Sequence, residues 1–215
     1  GGNASGSAKI FTSVAIKNNP DSPIFQLNGD AADDNFGYSV ASAGDVNGDG
    51  FGDVIVGAYQ DDDGGSASGS AFIFYGGVAS GAASTKANVK IIGDAAGDSF
   101  GYSVSSAGDV NGDGKDDVVV GAFADDDAGV NSGSAFIFYG GVTSGSATSK
   151  ANIKLTGDSL GDYFGYSVSS AGDVNGDGKD DVIVGADADD DGGSNSGSAF
   201  VFYGGVTSGA ATTQA

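Results

Sequence analysis

Short apolar runs rich in Val, Ile, Phe and Tyr alternate along the chain with clusters of Gly, Ser and Asp. Runs of this kind, bounded by turn residues, predict β-strands in antiparallel sheets rather than helices. The stretches "FGYSVSSAGDV", "DDVVVGAF", "GSAFIFYGG" and "KANIKLTGD" read as four successive strands of one unit. "DVIV" and "FIFY" are unbroken apolar runs, as expected for strands covered on both faces. "VKII" and "IKLT" interpose Lys, as an outer, wetter strand would. A four-stranded unit graded from interior to rim has the form of a propeller blade, whose faces its neighbours must cover.

The unit repeats. Phe36-Gly37-Tyr38-Ser39-Val40 returns at Phe100-Gly101-Tyr102-Ser103-Val104 and at Phe164-Gly165-Tyr166-Ser167-Val168, a spacing of 64 residues both times. Residues 6–11 match 69–74, and 192–215 repeat the register of 1–24. The expectation is an all-β chain of thirteen strands in the order two, four, four, three. Residues 1–35 give a partial blade with strands three and four, 36–99 and 100–163 give full repeats, and 164–215 give a repeat lacking its last strand. Such an arc does not close a ring by itself, because a propeller has at least four blades. Its expected partners are flanking blades of a longer chain, or other copies joined head to tail into a ring or filament.

Between the first two strands of each repeat lies an acidic loop, "DVNGDGFGD", "DVNGDGKDD" and "DVNGDGKDD". Side-chain oxygens fall at its first, third, fifth and ninth positions, and Gly at the sixth permits a sharp turn. The ligand sets are Asp45, Asn47, Asp49 and Asp53 with the carbonyl of Phe51; Asp109, Asn111, Asp113 and Asp117 with the carbonyl of Lys115; and Asp173, Asn175, Asp177 and Asp181 with the carbonyl of Lys179. An all-oxygen shell suits Ca²⁺, whereas Mg²⁺ demands tighter octahedral geometry and keeps its waters. Three Ca²⁺ sites are expected. An EF-hand is excluded because its twelfth position needs an acid, and Val56, Val120 and Val184 stand there. A nonapeptide calcium roll is excluded by the 64-residue period. The bland alternative is an acidic turn without metal, against which three copies in register weigh.

Composition narrows the chemistry further. Of 215 residues, all 29 acids are Asp, the only basic residues are eight Lys, and Arg, His, Cys, Met and Trp are absent. There is no imidazole base, no thiol nucleophile, no guanidinium clamp and no soft metal ligand. A net charge of -21 repels nucleic acid and anionic membrane surfaces. No apolar run approaches the roughly 18 residues of a membrane span. The absence of Cys leaves the redox compartment open. "GGNASGSAKIF" has neither the charged head nor the apolar core of a signal peptide, so the sequence reads as mature or as cut from something longer. Asn3-Ala4-Ser5 fits a glycosylation acceptor, a short match close to chance in so Ser-rich a chain. Every prominent Asp recurs three times, whereas a catalytic site is normally built once. The chain is therefore expected not to be an enzyme, with an Asp pair of glycosidase type as the alternative.

The stretch "FGYSVASAGDVNGDGFGDVIVGA" resembles the FG-GAP repeat of integrin α-subunit propellers and of many secreted bacterial proteins. Phe36-Gly37 corresponds to the FG, the Asp45 to Asp53 loop to the calcium site, and Gly57-Ala58 to the opening of GAP. Tyr59, Phe123 and Asp187 replace the Pro of GAP. The resemblance covers essentially the whole chain and implies a β-propeller, usually of seven blades, with calcium in the hairpin between the first two strands. It implies an extracellular or cell-surface adhesion, scaffold or self-assembly module with a protein or glycan ligand. The alternative is a carbohydrate-binding or non-catalytic propeller part of a secreted hydrolase. Asp61-Asp62-Asp63 and its repeats are expected to be solvated loops, with a further cation site as the alternative. Asp34, Asp98 and Asp162 are expected to form turns. Phe36, Phe100 and Phe164 are expected in the core, and Tyr75, Tyr139 and Tyr203 either there or on an exposed aromatic platform.

Overall fold

The computed structural model describes residues 5–10, 25–77 and 80–211, so most of the Asn3-Ala4-Ser5 sequon lies outside the described residues. The chain begins with β1 (Ser7–Ile10) and β2 (Phe25–Asn28). The first full repeat follows as β3 (Ser39–Gly44), β4 (Asp53–Ala58), β5 (Ser70–Phe74), β6 (Gly81–Ala82), the single turn α1 (Ala83–Lys86) and β7 (Val89–Ile92). The second is β8 (Ser103–Gly108), β9 (Asp117–Ala122), β10 (Ser134–Phe138), β11 (Gly145–Ser146), α2 (Ala147–Lys150) and β12 (Ile153–Thr156). The last comprises β13 (Phe164–Gly172), β14 (Asp181–Ala186), β15 (Ser198–Phe202) and β16 (Gly209–Ala210). Among the described residues no helix is long and apolar enough to cross a membrane.

Consecutive long strands pair antiparallel, as expected for blades. The sheets nevertheless depart from the four-stranded expectation. The two-residue strands β6, β11 and β16 join the outer strand of the preceding sheet in parallel, β6 on β2, β11 on β7 and β16 on β12. The two complete sheets thus have five strands. Ser80, Ser144 and Ser208 extend this seam, each hydroxyl oxygen accepting the backbone N–H of Gln26, Lys90 or Lys154 at 2.8–2.9 Å. Each repeat therefore stitches its own edge onto its predecessor, which also covers an otherwise unpaired strand edge.

The apolar cores lie between blades, and the two-residue period of a strand explains why β4 and β5 are apolar throughout. Val56, Ala58, Phe72 and Phe74 face the core shared with β1 and β2. Ile55, Ala71 and Ile73 face the next core, shared with Phe100, Val118 and Val120. The third core repeats the arrangement around Val119, Ile137, Phe164 and Val184. Phe36, Phe100 and Phe164 are buried, each edge-on to the Phe residues of its own third strand. Their glycine partners are required by close approach. Gly101 has φ +84°, and a Cβ on Gly57 would overlap the Gly101 carbonyl oxygen. The FG of one repeat thus rests on the GA of the repeat before it.

Candidate metal centre

Each acidic loop is wound around its first aspartate. In the first repeat Asp45 Oδ1 accepts the N–H groups of Gly48 and Asp49, and Oδ2 that of Gly50, at 2.8–3.0 Å. Asn47 Oδ1 accepts the N–H of Asp49 and Asp49 Oδ1 that of Phe51. Gly48 and Gly50, at φ +77° and +88°, supply the left-handed backbone this winding needs. Asp109, Asn111 and Asp113 reproduce the pattern, as do Asp173, Asn175 and Asp177. The ninth-position residues are buried at the loop base. Asp53 Oδ2 accepts the N–H of Val46 and Oδ1 that of Gly76; Asp117 and Asp181 do the same for Val110 with Gly140 and for Val174 with Gly204. Burial raises the Asp53 carboxyl above its ordinary range and pushes that of Asp117 to about 6.

This donor set fits a hard divalent cation. All side chains offer oxygen, the backbone N–H groups hold Asp45, Asn47 and Asp49 on one turn, and a carboxylate oxygen that accepts one hydrogen bond keeps a second lone pair. The three loop carboxylates of a repeat are not drawn as close as two other acidic groups among the described residues, whose oxygens gather within 4.8 Å.

Each internal loop is also clasped by the next blade. Asp116 Oδ2 accepts the N–H of Asp45 at 2.7 Å, and Asp180 Oδ2 that of Asp109 at 2.9 Å. The carbonyls of Val46 and Val110 accept the N–H groups of Gly141 and Gly205. Gly44, at φ +77°, admits the clasp, since a Cβ there would overlap the Asp116 carboxylate. Sequence reading missed Asp116 and Asp180 because they adjoin the expected ligand positions Asp117 and Asp181. The available signal was Gly52, the one repeat position where the acid is absent.

The FG-GAP repeat model matches residues 36–74, 100–138 and 164–202, each match running from the FG through the acidic loop to the end of the third strand. The chain belongs to the FG-GAP repeat family. It is similar to human integrin alpha-7, at 36% identity over 174 residues, covering 78% of this chain and 13% of that protein. Human integrin alpha-6 is 32% identical over 166 residues, with 76% and 13% covered. Integrin alpha-PS5 of Drosophila melanogaster is 32% identical over 166 residues, with 74% and 16% covered. The chain thus spans only 13–16% of the length of these relatives.

At the opposite end of each FG-GAP blade the Asp triplets are more ordered than a solvated loop. Lys90 Nζ bonds Asp61 at 2.8 Å and Asp63 at 2.6 Å and lies over the Phe72 ring; Lys154 repeats this with Asp125, Asp127 and Phe136. Asp62 Oδ1 accepts the N–H of Ala67. The Lys residues read as marking a wet outer strand are therefore tethers for buried Asp61 and Asp125. Asp34, Asp98 and Asp162 are buried too, each held above the ordinary carboxylate range by burial and then by a neighbouring Asp, to about 6, 7 and 6. An aromatic ladder runs across the same end. Tyr38 and Tyr166 share hydrogen bonds of 3.0 and 3.1 Å with the hydroxyl of Tyr102, which raise its pKa, and Tyr59 and Phe123 pack between the rungs. Two of the residues replacing the Pro of GAP thus join the ladder. Tyr75 and Tyr139 pack against blade cores, whereas Tyr203 is exposed.

Proposed function

We propose that this chain is part of an extracellular or cell-surface FG-GAP propeller that binds Ca²⁺ in three loops and serves as an adhesion or scaffold module without a catalytic role. The observation that carries the reading is one oxygen-only loop geometry built three times, around Asp45, Asp109 and Asp173. The similarity to integrin alpha chains supports the adhesive, cell-surface setting. Asp45, Asn47, Asp49 and Asp53 would hold one ion with the carbonyl of Phe51. Asp109, Asn111, Asp113 and Asp117 would hold the second with that of Lys115, and Asp173, Asn175, Asp177 and Asp181 the third with that of Lys179. Bound Ca²⁺ supplies the positive charge that a chain of net charge -21 lacks. Extracellular calcium modules bind at roughly 10⁻⁴ to 10⁻³ M, so such loops fill outside cells and stay largely empty in the cytosol.

Calorimetric Ca²⁺ titration tests this reading with an Asp49→Asn, Asp113→Asn, Asp177→Asn variant, which removes one charge per loop and keeps the amide-oxygen acceptor. Loss of the millimolar-range heats supports loop binding, whereas an isotherm identical to that of the unaltered chain overturns it.

Assembly through the blade faces is supported by one contrast. Val40 on β3 is 58% exposed, while its repeat mate Val104 is 6% exposed because the first full blade covers it. Beside Val40 a cleft of about 480 Å³ lies between β1 and β4, lined by Ile10, Leu27, Val54 and Val56. The first two strands of the partial blade, from a longer chain or a second copy joined head to tail, would fill it. Light scattering against concentration tests the second case: growth in mass supports it, and a folded monomer at all concentrations contradicts it.

A further inference from the structure

The three Asp-Asn-Asp loops do not account for the most concentrated carboxylates among the described residues. Asp30, Asp34 and Asp61 bring one oxygen each within 4.8 Å of one another, and Asp158, Asp162 and Asp189 do the same 128 residues later, two repeats of 64. Asp30 and Asp34 lie on the connection entering the first strand of a blade, and Asp61 on the connection leaving its second. Because those strands are antiparallel, the group sits at the end of the blade opposite the acidic loop.

A cluster of acids on a surface is ordinarily a solvated one, but these are not surface acids. Asp34 and Asp61 are 6% and 2% exposed, and Asp162 and Asp189 are 4% and 2% exposed. The carboxylate of Asp34 accepts no hydrogen bond among the described residues; only its backbone carbonyl is engaged, by the N–H of Gln60. Asp34 therefore differs from a turn-forming Asp, whose side chain bonds its own turn. Around Asp61 the single ammonium of Lys90 faces Asp30, Asp34, Asp61 and Asp63, which leaves three negative charges uncompensated. Around Asp189 the imbalance is greater. The Oδ1 of Asp189 accepts the N–H of Asp191, Asp162 bonds the backbone of Ser159 and shares a hydrogen bond with Asp158, and no ammonium among the described residues reaches the group. A buried carboxylate is costly unless a hydrogen bond, a proton or a cation compensates it.

We propose that Asp30, Asp34 and Asp61, and separately Asp158, Asp162 and Asp189, each hold a further divalent cation of the hard, oxygen-seeking kind, Ca²⁺ in the extracellular setting. Asp30 and Asp158 form the solvent-reachable side through which the ion enters, and the two buried carboxylates form its floor. The middle repeat keeps the residues as Asp94, Asp98 and Asp125, but they do not converge in the same way, so two further ions per chain are expected rather than three. The inference is independent of the loops, because it uses none of their residues.

The test counts bound Ca²⁺ by equilibrium dialysis in three proteins: the unaltered chain, Asp34→Asn with Asp162→Asn, and the Asp49→Asn, Asp113→Asn, Asp177→Asn loop variant. The expected result is two fewer ions in the Asp34/Asp162 variant, and two ions retained by the loop variant at concentrations where its loops are empty. If the unaltered chain binds only two and the Asp34/Asp162 variant none, the cluster sites stand and the loop reading fails. An unchanged count in the Asp34/Asp162 variant overturns the proposal; if that variant is also more stable in chelator, a shared proton occupies the clusters. Should the Asp34/Asp162 variant fail to fold, the loop variant decides: no retained ions overturns the proposal.

Discussion

Asp116 Oδ2 accepts the backbone N–H of Asp45 at 2.7 Å, joining residues 71 positions apart. The acceptor belongs to one blade and the donor is the first residue of the acidic loop of the blade before it. Loop order and blade stacking are therefore one structural unit. Hydrogen bonds to a charged acceptor contribute about 1.5–3 kcal/mol. Asp116→Ala and Asp180→Ala should each lower stability by that amount in urea unfolding, and Asp116→Asn, which keeps an oxygen acceptor, by less. Each Ala change should also weaken Ca²⁺ binding in the preceding loop.

The FG and GA motifs meet where Gly57 lies under the Gly101 carbonyl and Gly121 under that of Gly165. Gly57→Ala or Gly121→Ala forces a backbone shift between blades and should cost about 3 kcal/mol or more. Gly52→Ala is the control. Nothing lies within 4 Å of a Cβ built there, so its stability should stay within about 0.5 kcal/mol of the unaltered chain. Thermal unfolding of the three variants checks the contrast.

Much of this architecture was legible because it follows from local chemistry repeated in register. The 64-residue period, the thirteen long strands among the described residues and the buried FG phenylalanines follow from apolar runs and turn residues. The strands β6, β11 and β16 were not legible: a Gly-Ala or Gly-Ser pair has no strand signal of its own and is extended only because a neighbouring edge pairs with it. Lys90 and Lys154 misled for a related reason. A Lys within an apolar strand reads as solvent-facing until its partners, 29 residues earlier, are brought beside it. Tyr59 and Phe123 looked like departures from a motif, and only the stacking of repeats turns them into a ladder.

Lys90→Met removes an ammonium from two carboxylates, one of them buried, and keeps most of the packing over Phe72. Leaving a buried charge without its partner costs about 3–5 kcal/mol, reduced here because the Lys90 side chain is 18% exposed. A loss of about 2–4 kcal/mol is expected. Adding Asp61→Asn should restore part of it, and a double-mutant cycle in urea measures the coupling.

Without metal, stability should rise as pH falls from about 7 towards 4. The folded-state values of Asp34, Asp117 and Asp162 are about 6 and that of Asp98 about 7, against 3.8 for the ordinary carboxyl. In that window the folded chain binds more protons than the unfolded chain, so the stabilisation present at low pH is lost as pH rises through the folded values. Saturating Ca²⁺ should flatten or reverse the trend, because ion and proton compete for the carboxylates. Urea midpoints across this range, with chelator and with Ca²⁺, provide the measurement.

The most direct test of calcium-pinned blades is the thermal midpoint of this chain in chelator, then in millimolar Ca²⁺, with Mg²⁺ as control. At about 1 mM Ca²⁺ and dissociation constants of roughly 10⁻⁴ to 10⁻³ M, binding adds about 0.4–1.4 kcal/mol per site. A Ca²⁺-specific rise of several degrees that Mg²⁺ does not reproduce is expected. Equal midpoints in chelator and in Ca²⁺ would contradict it and reduce the loops to acidic turns held by their own backbone.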